Sequence, residues 1–204
     1  MLVESWRRLA WSFLYHTTSL ALVYDPEMDV LRRLEIGDVI SGENKFDGAV
    51  VAPDGKVIMI PREAGNIGVY DPFNDDFHLV PVSAPSCESS RMCSDNLFSG
   101  GVLLPNGHVL FIPYGSNYIG IFDPSSESYD TLDIYDQLQL APVANANYKY
   151  HGGVAKQNGD IIFIPNSVTG LGQYTPTNKE ASYRVSGGVP NGWKSLLSPH
   201  FNKR

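Results

Sequence analysis

The chain repeats itself every 52 residues. FDGAVVAPDGKVIMIP begins at Phe46, FSGGVLLPNGHVLFIP at Phe98 and YHGGVAKQNGDIIFIP at Tyr150. A second motif keeps the same step: NIGVYDP ends at Pro72, YIGIFDP at Pro124 and GLGQYTP at Pro176. No gap is needed to superpose the three copies. Periods of this length belong to architectures in which one supersecondary unit cannot bury its apolar face alone and stacks on its neighbours. The paired glycines are therefore structural; as a phosphate loop they would need a following helix to supply its dipole.

Each copy reads as four short strands. Strand a carries Gly-Gly-Val or its equivalent, and PDG, PNG or QNG turns the chain. Strand b is the β-branched and aromatic run such as Val109–Ile112, closed by a proline. Strand c is represented by Ile119–Phe122, Asp123-Pro124 opens the next turn, and strand d follows in DDFHLVPV and ESYDTLDI. Four antiparallel strands per unit of about 50 residues predict an all-β fold, a β-propeller of four-stranded antiparallel blades.

The ends set the blade count. WSFLYHTTSLALVYDPEMDVLRRLEI aligns without a gap to VIMIPREAGNIGVYDPFNDDFHLVPV, so residues 11–40 supply strands b to d of a first blade. Residues 45–96, 97–148 and 149–190 form three further blades. WKSLLSP, residues 193–199, is read as the missing strand a, which makes a four-bladed ring whose last blade is shared between the two termini. An open fragment of a larger propeller is the alternative. A closed ring predicts a monomer, and an open arc predicts a homodimer.

IGVYDPFNDDF and IGIFDPSSESY resemble the outer hairpin of kelch-type repeats, although kelch units place their double glycine after strand b and this chain places it in strand a. PDG followed by NIGVYDP also resembles the units of NHL-type and virginiamycin B lyase-like propellers. The resemblance spans about residues 11 to 199 and implies a structural repeat. It transfers no catalytic residue.

Function has to be sought where the repeat is broken, since positions that agree across blades hold the fold. One position in strand a carries Asp47, Ser99, His151 and, through the end alignment, Lys194. If the ring closes, an acid, a hydroxyl, an imidazole and an amine meet near the axis, where they would hold a small polar ligand or form a solvated ring. The b–c loops add Arg62, Glu63 and Tyr114. The expected function is a non-enzymatic binding or scaffold module that recognises a protein or a small polar ligand through its loop face. The alternative is a propeller lyase or hydrolase using His151 with Asp47 or Glu63.

Composition narrows the partners. A net charge of −7 offers no basic patch for nucleic acid or an anionic membrane. No apolar run reaches the roughly 20 residues of a membrane helix. MLVESWRRLAWSFLYH lacks a signal-peptide pattern, and no glycosylation sequon occurs, so a soluble cytoplasmic protein is expected. No metal site or cofactor motif is present. Cys87 and Cys93 are too widely spaced for a C-x-x-C motif and read as two thiols in a polar loop or as a loop disulfide. Leu138, Leu140 and Val143, in the long connection before Tyr150, are a candidate patch for a protein partner or packing onto the ring.

Overall fold

In the computed structural model the described residues are 20–25, 29–82, 96–134, 148–168 and 170–185, and all of their regular structure is strand. β1 (Leu20–Asp25) and β2 (Val30–Glu35) form a hairpin, the c and d strands of the first blade. Three four-stranded antiparallel sheets follow. Blade 2 contains β3 (Phe46–Val51), β4 (Val57–Pro61), β5 (Asn66–Asp71) and β6 (Asp76–Pro81). Blade 3 contains β7 (Phe98–Leu103), β8 (Val109–Pro113), β9 (Tyr118–Asp123) and β10 (Ser128–Asp133). Blade 4 contains β11 (Tyr150–Ala155), β12 (Ile161–Pro165), β13 (Gly170–Thr175) and β14 (Glu180–Val185). The chain is thus an all-β propeller built from four-stranded blades. The proposed closing strand at 193–199 and strand b of the first blade lie outside the described residues.

Turn chemistry explains why each unit folds back. The Gly55 amide donates to the Ala52 carbonyl (3.0 Å) and the Ala52 amide to the Lys56 carbonyl (2.8 Å), a β-turn closed by a glycine at φ +91°. Gly107 and Gly159 repeat this left-handed conformation, which only glycine adopts without strain. At the opposite hairpin the Asp of Asp-Pro caps the turn: Asp71 accepts from the Phe73 amide at 2.8 Å, and Asp123 accepts from the Ser125 amide at 2.9 Å. The fourth residue after it is left-handed in every unit (Asp29, Asp75, Glu127, Lys179).

Blades meet through the double glycine. The first glycine of each pair sits in a β-bulge at positive φ, as at Gly48, Gly100 and Gly152. A Cβ on Gly48 would lie 3.3 Å from the Gly100 Cα, and one on Gly100 would lie 3.4 Å from the Gly152 Cα. The second glycine makes room for the previous blade: a Cβ on Gly101 would meet Ile60 Cδ1 at 2.7 Å, and one on Gly153 would meet Ile112 Cδ1 at 2.8 Å. The b strands between blades are wholly apolar, with Ile58, Ile60, Leu110 and Ile112 at 0% exposure. Each such side chain contributes roughly 1.5–3 kcal/mol on burial. β1 packs on blade 2 in the same way, through Ala21 and Val23 against Val57, Met59 and Tyr70.

Candidate functional site

A backbone ladder at the upper rim carries the loop residues into place. Arg62, Tyr114 and Asn166 each follow the proline that ends strand b. Each donates its amide to the residue that precedes its own strand a: Arg62 to the Lys45 carbonyl (2.9 Å), Tyr114 to Leu97 (3.1 Å) and Asn166 to Lys149 (2.9 Å). Their carbonyls reach the next blade, where Arg62 accepts from the Leu97 amide (2.7 Å) and Tyr114 from the Lys149 amide (2.6 Å). The side chains at these steps are thereby fixed next to one another across blade boundaries.

Four of the sequence-derived candidates come together there. The Arg62 guanidinium pairs with Asp47 at 3.5 Å and donates through Nε to Asn96 Oδ1 at 2.7 Å. Its Cζ stands 5.3 Å above the centre of the Tyr114 ring, a cation–π arrangement. The His151 ring meets the same tyrosine edge-on with centroids 6.1 Å apart, and Tyr148 packs against it at 4.8 Å. Arg62 and Asp47 are half-buried and His151 is exposed. A guanidinium has five N–H donors; among the described residues Asp47 and Asn96 take two of them.

The remaining candidates go elsewhere. Ser99 is buried at 1% exposure, so it does not join an open polar ring at the axis. Blade 3 has a neighbour on both sides, and Gly100 beside it is packed between Gly48 and Gly152, which seals the position. Glu63 is exposed and accepts from Asn44 Nδ2 at 3.0 Å, away from His151. Among the described residues no carboxylate is paired with His151. Lys194, Cys87, Cys93 and the Leu138–Val143 patch lie outside the described residues.

Sequence reasoning missed three participants. Asn96 orients Arg62. Tyr148 holds a left-handed backbone at φ +64°, a strained state for an aromatic residue, and its carbonyl is pinned by the Ser167 amide and Asn166 Nδ2, both at 3.1 Å. Such strain clusters at functional positions. Lys149 is buried at 1% exposure beneath this layer, donating Nζ to the Gly115 and Ser116 carbonyls at 3.3 and 3.2 Å. Desolvation lowers its ammonium pKa to about 8. A signal for it existed: the same slot one and two repeats earlier holds Leu97 and Lys45, so a lysine recurs there, and Lys45 is buried too.

No protein-family model matches the chain, and no curated protein matches it by sequence. Solved structures do match. A catalytically inactive histidine-to-alanine variant of virginiamycin B lyase from Staphylococcus aureus, with quinupristin, superposes with a TM-score of 0.62 at 12% identity, covering 85% of this chain and 50% of that one. Hydrazine synthase from Kuenenia stuttgartiensis gives 0.56 at 12% identity over 82% and 44%, and the dihydro-heme d1 dehydrogenase NirN in complex with DHE gives 0.52 at 14% over 82% and 33%. The chain spans half or less of each of these proteins. What the likeness establishes is the fold: this chain is a β-propeller, similar in its blades to virginiamycin B lyase.

Proposed function

We propose that the chain is a non-enzymatic binding module whose upper rim holds a small polar ligand between Arg62, Tyr114 and His151. The observation that carries this reading is the Asp47–Arg62–Tyr114–His151 succession. It offers a cation with donors unused among the described residues, an aromatic face and an imidazole side by side. That set suits a ligand with an acceptor oxygen and a flat ring. A general-base role for His151 has less support, because among the described residues no carboxylate orients its imidazole and the equivalent hydroxyl, Ser99, is buried.

Benzoate is a suitable probe. Titration of the isotope-labelled protein is expected to shift the amides near Asp47, Arg62, Tyr114 and His151, with cyclohexanecarboxylate binding more weakly. Arg62→Ala should weaken benzoate at least tenfold while leaving amides of the other blades in place. Shifts confined to other regions, or an unchanged affinity in Arg62→Ala, would overturn the proposal.

A further inference from the structure

The lower face carries a second feature, independent of the rim. A cavity of about 240 Å³ opens between blades 3 and 4, floored by Leu104, Ile121 and Tyr174. This is smaller than the roughly 300–1,000 Å³ of a drug-sized pocket, so it suits a small metabolite.

Its meaning comes from the copy one blade earlier. Shifted by one repeat, the wall residues His108, Asp130 and Lys179 become Lys56, His78 and Glu127. In that copy the side chains close the groove themselves. Glu127, on the c–d turn of blade 3, reaches back to blade 2, taking His78 Nε2 at 3.1 Å on each carboxylate oxygen and Lys56 Nζ at 3.4 Å. Asp76 holds the other imidazole nitrogen at 3.1 Å. The clasp joins the two blades across the groove.

Between blades 3 and 4 the signs are exchanged and the clasp is not made. The turn residue is now a cation, Lys179, and the strand residue opposite it is an anion, Asp130. Among the described residues no ion pair joins them; both are exposed. Asp76 is replaced by Ser128. The third wall group, His108, is occupied with Asp123 at 3.7 Å, whose carboxylate is itself held by the Ser125 and Ser126 hydroxyls at 2.7 and 2.8 Å. Two opposite charges therefore face an apolar-floored cavity without meeting.

We propose that this groove is a binding site for a small zwitterion of the α-amino-acid class. The ligand's ammonium faces Asp130, its carboxylate faces Lys179, and its side chain lies on Leu104, Ile121 and Tyr174. The ligand supplies the charge bridge that Glu127 supplies from within the chain one blade earlier.

The test uses L-leucine, L-methionine and L-alanine in amide-shift titrations of the intact chain. 4-Methylpentanoate and 3-methylbutylamine serve as leucine analogues that each lack one charge. The expected result is saturable shifts at residues 104–108, 121–130 and 174–179, strongest for the two larger amino acids, with each analogue at least tenfold weaker. The double variant Asp130→His, Lys179→Glu rebuilds the neighbouring clasp and should abolish the response. No shift with any of the three amino acids would overturn the proposal, as would equal binding of the single-charge analogues. So would undiminished binding in a folded double variant. Benzoate titration of the rim reports separately, so failure of one site leaves the other standing.

Discussion

At the hub, neighbouring blades meet through the same residues each time; at the upper rim they meet through different ones. Gly48, Gly100 and Gly152 share one left-handed bulge, and at Gly48 and Gly100 it lets backbone approach the next blade's backbone. Arg62, Tyr114 and Asn166 share one backbone ladder, yet they are a cation, an aromatic ring and an amide. The contrast separates two demands on one repeat. The hub keeps its glycines because the bulge is left-handed at all three and, at Gly48 and Gly100, a methyl group would press on the next blade's backbone. The rim inherits a rigid frame from the hub and is free to vary its side chains, so specificity accumulates there.

The largest expected effect tests the hub. Gly100→Ala combines a left-handed backbone at φ +75° with a contact at 3.4 Å to the next blade's backbone, and is expected to destabilise by about 3 kcal/mol. Gly152→Ala has the same backbone demand at φ +77°, but a Cβ there meets nothing within 4 Å. It should cost about half as much in denaturant unfolding, and equal losses would remove the packing part of the argument.

Next comes the layer beneath the rim. Lys149 has its folded pKa depressed to about 8 from an unfolded value near 10.5, so the unfolded chain binds more protons in between. Stability should therefore rise as pH goes from 8 to 10, by about 2 kcal/mol at roughly 1.4 kcal/mol per unit. Above pH 10 the tyrosines intervene, with Tyr70 pushed up to about 12 by burial and its bond to Asp75. Lys149→Met should flatten the rise; an equal slope in both proteins would show that the buried ammonium is not its source.

Smaller effects sharpen the comparison. Arg62→Ala removes the contacts to Asp47, Asn96 and Tyr114 and is expected to cost about 1 kcal/mol, since the pair is partly solvated. Its larger consequence should be on benzoate. Tyr129→Phe should be neutral or slightly stabilising in thermal unfolding, because its buried hydroxyl finds no partner among the described residues. The equivalent residue in blade 2 is already Phe77. A loss above about 1 kcal/mol would show that the hydroxyl is bonded after all.

The repeat made the fold legible. β8, read as Val109–Ile112, runs Val109–Pro113, and β9, read as Ile119–Phe122, runs Tyr118–Asp123. The structural role of the glycines also followed from the repeat, and the structure divides it between a left-handed bulge and close approach. The site was legible in part. Arg62, Tyr114, Asp47 and His151 stood out as breaks in the repeat, but their adjacency could not, because the Arg62–Tyr114 and Tyr114–His151 contacts cross blade boundaries. Ser99 differs from its equivalents Asp47 and His151 in being buried, and sequence equivalence alone does not report exposure. The charge exchange in the lower groove was readable by alignment, but its consequence depends on whether Lys179 and Asp130 meet.

The most direct test of the account is a crystal structure of the protein grown with saturating benzoate. The account predicts density for the ring against Tyr114, with the carboxylate on Arg62 and His151 at its edge. Benzoate found elsewhere, with Arg62, Tyr114 and His151 clear of it, would contradict the claim that the rim is where this propeller binds.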